Sequence, residues 1–233
     1  MTEAADLGVW PKVLMAAEEA LERPAVRLLV KRAEAAGAQC VRTRESVLGQ
    51  IARRENPQTV IAAYAPLDTA LAALPKRKSG LYAALEQVRD PGNLGTILRT
   101  ADAAGVSGVI LIGNTCDPFS VEAVRASMGA IFAQPFAQAG LAEFSAWART
   151  LGLSVIGTSL HGEIRHDAPE AEGGVVLMMG NEQAGLSPEA ETACDALVRI
   201  PMAGKADSLN LAAAAAVMIY DFWRRRGYDG ADR

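Results

Sequence analysis

With 233 residues, half of them apolar, and a formal net charge of −4, the chain has an ordinary globular composition and length enough for one sizeable domain beside a smaller one. No apolar run approaches the ~18 residues of a membrane-spanning helix. The acidic opening before Trp10 lacks the basic-then-apolar layout of a secretory signal, so no membrane association and a cytoplasmic location are expected. Cys40, Cys116 and Cys194 show no CxxC spacing, and His161 and His166 lie on a polar stretch without other ligand types. Neither a disulfide framework nor a bound metal is expected.

The charge is unevenly spread. Residues 1–80 carry 12 Lys/Arg against 9 Asp/Glu, and the remainder 11 against 18, so the first third is the basic part of an acidic protein. Its cations gather as Arg23, Arg27, Lys31 and Arg32, then Arg42, Arg44, Arg53 and Arg54, then Lys76, Arg77 and Lys78. A solvated helix face with a charged linker and an RNA-facing surface fit this pattern equally well.

Residues 1–74 read as a small α/β unit. Lys12–Met15 is predicted as a strand, Pro24–Ala36 as a helix ended by Gly37, Gln39–Arg42 as a strand, Ser46–Arg53 as a helical turn or two, and Thr59–Tyr64 as an apolar strand. Residues 75–80 combine a proline, three cations and a glycine without periodicity and read as a linker. From Leu81 to the end, strands and helices alternate, which predicts an α/β, mainly parallel sheet with helices on both faces. Predicted strands are Tyr82–Val88, Gly108–Ile112, Ser154–Thr158, Val175–Met179 and Ala196–Ile200. Predicted helices are Leu94–Ala104, Val121–Phe132, Ala142–Leu151 and Leu209–Arg226, the last ending in cations that suit the negative end of a helix dipole.

Three segments place polar side chains beside glycines or small residues where a strand gives way to a helix: Asn93 to Arg99, Gly180 to Leu186 with Asn181 and Glu182, and Ser208 to Asn210. Open α/β sheets bind ligands at the carboxyl ends of their strands, so the three loops predict one crevice. Each alone has a plain structural explanation. Asn93 and Ser208 read as helix N-caps, Arg99 as a surface partner of Asp102, and Gly180 and Gly185 as turn residues. Arg99 falls off the apolar stripe of Leu94, Ile97, Leu98 and Ala101, and Gly95 one turn earlier would leave room for something to approach it. No GxGxxG or GxxxxGK[ST] pattern competes for the site.

Taken in order, Asn93 and Arg99, then Gly180-Asn181-Glu182 with Gly185-Leu186, then Ile200-Pro201-Met202 with Ser208-Leu209-Asn210 resemble the three motifs of the SpoU-type (TrmH-like) RNA 2′-O-ribose methyltransferases of the SPOUT superfamily. The resemblance covers the last two-thirds of the chain. It implies a trefoil-knotted domain over residues 81–233 that binds S-adenosylmethionine, and a homodimer with a composite active site. It places the cofactor against Gly180, Ile200 and Leu209, with Met202 and Ser208 near by and Thr158 at the edge. It names Arg99 as the residue that activates the ribose hydroxyl; Asn93, Glu182 and Asn210 are expected to position the ribose and Arg99.

A guanidinium stays protonated in proteins, so binding of the neighbouring phosphate and stabilisation of the developing oxyanion suit Arg99 better than a base role. The N-terminal unit resembles the tail of an L30e-like RNA-binding domain, either shortened at its start or abbreviated as a substrate domain. The expected activity is methyl transfer to a ribose 2′-hydroxyl of structured RNA, rRNA ahead of tRNA. The alternatives are a tRNA 2′-O-methyltransferase, a base methyltransferase, and an RNA-binding member without catalysis.

Overall fold

A computed structural model describes residues 1–52, 58–169 and 173–231. Arg53 and Arg54 lie outside the described residues. The chain forms two compact units, residues 1–67 and 68–233.

The first unit has α1 (Thr2–Asp6), β1 (Val13–Ala17), α2 (Pro24–Ala35), β2 (Gln39–Thr43), α3 (Glu45–Ala52) and β3 (Val60–Ala63). β1 is central, parallel to β2 and antiparallel to β3. Strand alternation gives β1 two apolar faces. Leu14 and Ala16 meet Ala33, Val30 and Val26, largely from α2, and Ala17 and Met15 meet Leu48 of α3. Some cations of this unit are spent internally: Arg27 donates to the carbonyls of Leu21 and Glu22, and the Arg32 guanidinium lies 5.2 Å from the Trp10 ring centroid. Arg23, Lys31, Arg42 and Arg44 are exposed.

The second unit runs β4 (Leu81–Glu86), α4 (Pro91–Ala103), β5 (Gly108–Ile112), α5 (Val121–Ala126), β6 (Phe136–Ala139), α6 (Leu141–Leu151), β7 (Ser154–Thr158), β8 (Ile164–Arg165), β9 (Val175–Met179), α7 (Pro188–Thr192), β10 (Ala196–Arg199) and α8 (Leu211–Arg225). Its seven-stranded sheet has the order β6-β5-β4-β9-β7-β10-β8, and every pairing is parallel. β4, β5 and β9 are buried at every residue, which explains their unbroken apolar runs. α4 packs between α5 and α8 on one face. The other face buries Phe144 and Ala148 of α6 and Ala190 of α7 against Tyr82, Ala84, Ile110, Val176 and Met178.

Three sequence expectations change. Residues 68–74, read as the end of the first unit, belong to the second: Leu71 and Leu74 are buried with Tyr82. Residues 75–80 are fastened rather than free. The buried Tyr82 hydroxyl donates to Pro75 O and accepts from Arg77 N–H, and Gly80 O accepts from Val175 N–H. The helix predicted over Val121–Phe132 breaks at Met128 and Gly129, whose φ values of 52° and 98° cannot continue a right-handed helix.

Candidate active site

The chain moves from β4 to one side of the sheet through β5 and β6, and later fills the other side with β7, β9 and β10. The sheet order therefore reverses between β4 and β9, where open α/β sheets form their ligand crevice. The loop after β4 (residues 87–90) and the loop after β9 (residues 180–187) leave from these two neighbours. The segment after β10 (residues 200–210) leaves from the same carboxyl edge.

Side chains tie the three loops together. The Glu182 carboxylate receives four N–H donors. Oε1 accepts from Asp90 N (3.1 Å) and Asn93 Nδ2 (3.2 Å), and Oε2 from Arg89 N (3.2 Å) and Asn181 Nδ2 (3.4 Å). Asn93 passes the link on, since its Oδ1 accepts from Asn210 Nδ2 at 2.9 Å. Asn210 Oδ1 caps α8 by accepting from the N–H groups of Ala212 and Ala213. Asn93, Glu182 and Asn210, 117 residues apart at the extremes, thus form one chain of donors and acceptors. Burial would push the Glu182 carboxyl up, but bonds from its own backbone, Asn93, Asp90 and Arg89 hold it below its usual range. It is ionised at neutral pH.

The turn 181–185 closes on itself. Asn181 and Gly185 exchange backbone bonds of 2.9 Å, and Asn181 Oδ1 accepts from Gln183 and Ala184 N–H while its amide donates to Gln87 O. A Cβ on Gly180 would lie 2.0 Å from Gly185 C, so this glycine is required by the turn itself. Gly95 is likewise taken up internally. A Cβ there would lie 2.5 Å from Ala123 O and 2.7 Å from Ser127 N, so α5 fills the space expected to lie open towards Arg99.

Arg99 is exposed and forms no ion pair among the described residues. The expected surface pair with Asp102 is not formed, and burial pushes the Asp102 carboxyl up. The guanidinium is thus available to a ligand. Asn210, rather than Ser208, caps α8, which leaves Ser208 and Leu209 outside the helix.

Residues 201–210 are exposed throughout, Met202 and Leu209 included. No backbone–backbone bond within the described residues uses residues 201–209. Thr158 ends β7, two strands from β4, and its buried Oγ1 has no partner among the described residues. Uncommitted backbone donors and acceptors, exposed apolar side chains and an orphaned hydroxyl leave this edge of the sheet open to a ligand. The structure brings Asn93, Glu182 and Asn210 into direct contact. Thr158 ends β7, Gly180 and Ile200 directly follow β9 and β10, and Met202, Ser208 and Leu209 lie in the exposed segment between β10 and α8.

Sequence reasoning missed Arg225 and Arg226, which it assigned to the helix dipole alone. Arg225 donates to the carbonyls of Pro169 and His166, and Arg226 to those of Ser79 (2.7 Å) and Gly173 (2.9 Å). They clamp the far end of the helix that Asn210 caps. A run of three arginines signals charge but not which carbonyls it will meet.

Residues 80–220 match the model of the SpoU rRNA Methylase family. The Bacillus subtilis 23S rRNA (guanosine(2553)-2′-O)-methyltransferase RlmP is 33% identical over 212 residues, 87% of this chain and 83% of that protein. The AdoMet-bound rRNA methyltransferase of Sinorhizobium meliloti superposes with a TM-score of 0.88 at 44% identity, covering 96% of this chain and 84% of the other. The SpoU methyltransferase AviRb of Streptomyces viridochromogenes, in complex with AdoMet, gives 0.86 at 28% identity over 97% and 86%. With a family model spanning the three linked loops and relatives matching nearly the whole chain, this protein belongs to the SpoU rRNA methylase family.

Proposed function

We propose that this protein transfers a methyl group from S-adenosylmethionine to a ribose 2′-hydroxyl of structured RNA, rRNA ahead of tRNA. The observation that carries the reading is the joining of Asn93, Glu182 and Asn210, with Arg99 exposed on the helix of Asn93 and without an ion pair among the described residues, in a family whose members are named as rRNA methyltransferases. The bound cofactor supplies an electrophilic methyl group. The 2′-hydroxyl is a weak nucleophile near neutral pH, so charge must be stabilised on its oxygen as the new bond forms and its proton leaves to water. Arg99 binds the adjoining phosphate and that developing charge. Glu182, ionised and saturated with donors, is a brace and not a proton carrier, and it fixes the start of α4 through Asn93. The uncommitted backbone of residues 201–209, Gly180, Ile200 and Thr158 hold the cofactor, with Met202, Ser208 and Leu209 lining it.

Three finer features belong to the same reading. Family membership supports a trefoil knot in residues 81–233 and an L30e-like, RNA-binding first unit. Exposed apolar side chains beside α4, Val121 and Met128 on one flank and Val217 and Tyr220 on the other, support a homodimer whose partner completes the site. No helix among the described residues is long and apolar enough to cross a membrane; a cytoplasmic location is part of this proposal and rests on the ribosomal RNA substrate.

The test is incubation with methyl-labelled S-adenosylmethionine and separate pools of unmodified rRNA and tRNA, with label mapped to the 2′-oxygen. Label in rRNA that is lost in Arg99→Ala, with cofactor binding intact, is the expected result. Label on a base, or no cofactor binding, refutes the assignment.

A further inference from the structure

Glu86 is an oddity of the core. It ends β4 at 5% exposure, and no ion pair neutralises it among the described residues. Its partner is Ser187: Oε1 accepts from Ser187 Oγ at 2.6 Å and Oε2 from Ser187 N at 2.8 Å. A buried carboxylate is costly unless bonded, and an apolar residue of the same size would serve packing better.

The position of Ser187 gives the acid its meaning. Ser187 is the first residue after the 180–186 turn and caps α7 through Ala190. The turn is entered from Met179, whose register partner in β4 is Leu85. It is left through Ser187, which Glu86 holds. Both ends of the loop are therefore fastened to two consecutive residues of β4. The bonds then continue outward in order: Gln87 O to Asn181, Arg89 and Asp90 N–H to Glu182. The outer bonds lie at the surface, whereas the innermost is part-buried and ends on a carboxylate that is itself 5% exposed.

We propose that Glu86 is a positioning residue for cofactor binding: by holding Ser187 it fixes the span of the 180–186 turn, so that the turn offers its backbone in the cofactor-binding shape before the cofactor arrives. This rests on the reading of that turn as part of the S-adenosylmethionine site. The roles separate along the loop. Glu182 braces the substrate side through Asn93, and Glu86 braces the cofactor side through Ser187.

The test compares Glu86→Gln, Glu86→Leu, Ser187→Ala and the Glu86→Leu/Ser187→Ala double variant in the full chain. S-adenosylmethionine Kd is read by calorimetry, methyl-transfer kcat and the RNA KM by label incorporation, and folding by circular dichroism and Tm. Glutamine keeps an acceptor for Ser187 N–H and a donor for its hydroxyl, so it should bind cofactor within about threefold of wild type. Leucine leaves the N–H and O–H of Ser187 without their acceptor and should raise Kd by about tenfold or more, with Ser187→Ala between the two. At saturating cofactor, kcat and the RNA KM should hold, a split that general loosening would not give. The double variant should be no worse than Glu86→Leu.

A folded Glu86→Leu protein with wild-type Kd, additive losses in the double variant, or a glutamine as harmful as leucine overturns the role. If Glu86→Leu does not fold, wild-type Kd in Ser187→Ala overturns it and a weakened Kd supports it. Wild-type protein that binds no S-adenosylmethionine overturns the functional reading itself.

Discussion

Replacing Glu182 by glutamine preserves shape and size, yet the structure expects it to be damaging. Each carboxylate oxygen accepts from two N–H donors: Asp90 N and Asn93 Nδ2 on one, Arg89 N and Asn181 Nδ2 on the other. A glutamine has one oxygen. Whichever way it turns, its NH2 group faces two donors, so two bonds are lost and two repulsive contacts appear. Bonds to a charged acceptor contribute about 1.5–3 kcal/mol each when well buried. Glu182 is partly exposed and glutamine can swing towards water, so a total near 2 kcal/mol is the reasonable figure. If the brace matters at the transition state, that is a fall in kcat/KM of roughly 30-fold. The assay is label transfer from S-adenosylmethionine to an rRNA fragment, with cofactor Kd measured separately. A Glu182→Gln enzyme within twofold of wild type in kcat/KM would refute the brace.

The same carboxyl sets a pH dependence: its folded pKa is depressed, so its stabilisation is present above the ordinary carboxylate value and lost as pH falls through the lower folded one. Urea unfolding should show wild type more stable than Glu182→Gln at pH 7, with the gap shrinking below about pH 4. Gly95→Ala should destabilise the second unit by about 1–2 kcal/mol despite alanine's better helix propensity, because the methyl group meets the backbone of α5; denaturant midpoints check this. Burial, with Asp195, Glu191 and Glu86 near by, pushes the Cys194 thiol up to about 12, so native protein at pH 8 should alkylate there far more slowly than urea-unfolded protein, read by mass spectrometry. If the fastened loop of Lys76, Arg77 and Lys78 touches RNA, their triple alanine variant should lower the slope of log affinity against log salt by roughly 2–3, with cofactor Kd unchanged.

Much of this protein was legible in its residues because the signals are local. β5, β7 and β9 form at the predicted boundaries; for β5 and β9 a short apolar run buried on both faces leaves the backbone little choice. Asn93, Glu182 and Asn210 stood out through their order and their glycine neighbours. What the sequence left open depends on contacts across long separations. Gly95 reads identically whether it faces a ligand or α5, and only packing shows the latter. The caps at Ser208 and Asn210 are equivalent by residue type, and the reach of Asn210 to Asn93 decides between them. Short β6 and β8 carry too few residues for a pattern and exist because a neighbouring strand offers its free edge.

The α/β alternation was thus legible in spacing, and the family through the resemblance of three polar motifs taken in order. Tertiary structure decided which of them meet. The reversal of sheet order between β4 and β9 brings segments nearly a hundred residues apart to one edge, and buried Glu86 and saturated Glu182 take their roles from partners that only folding supplies.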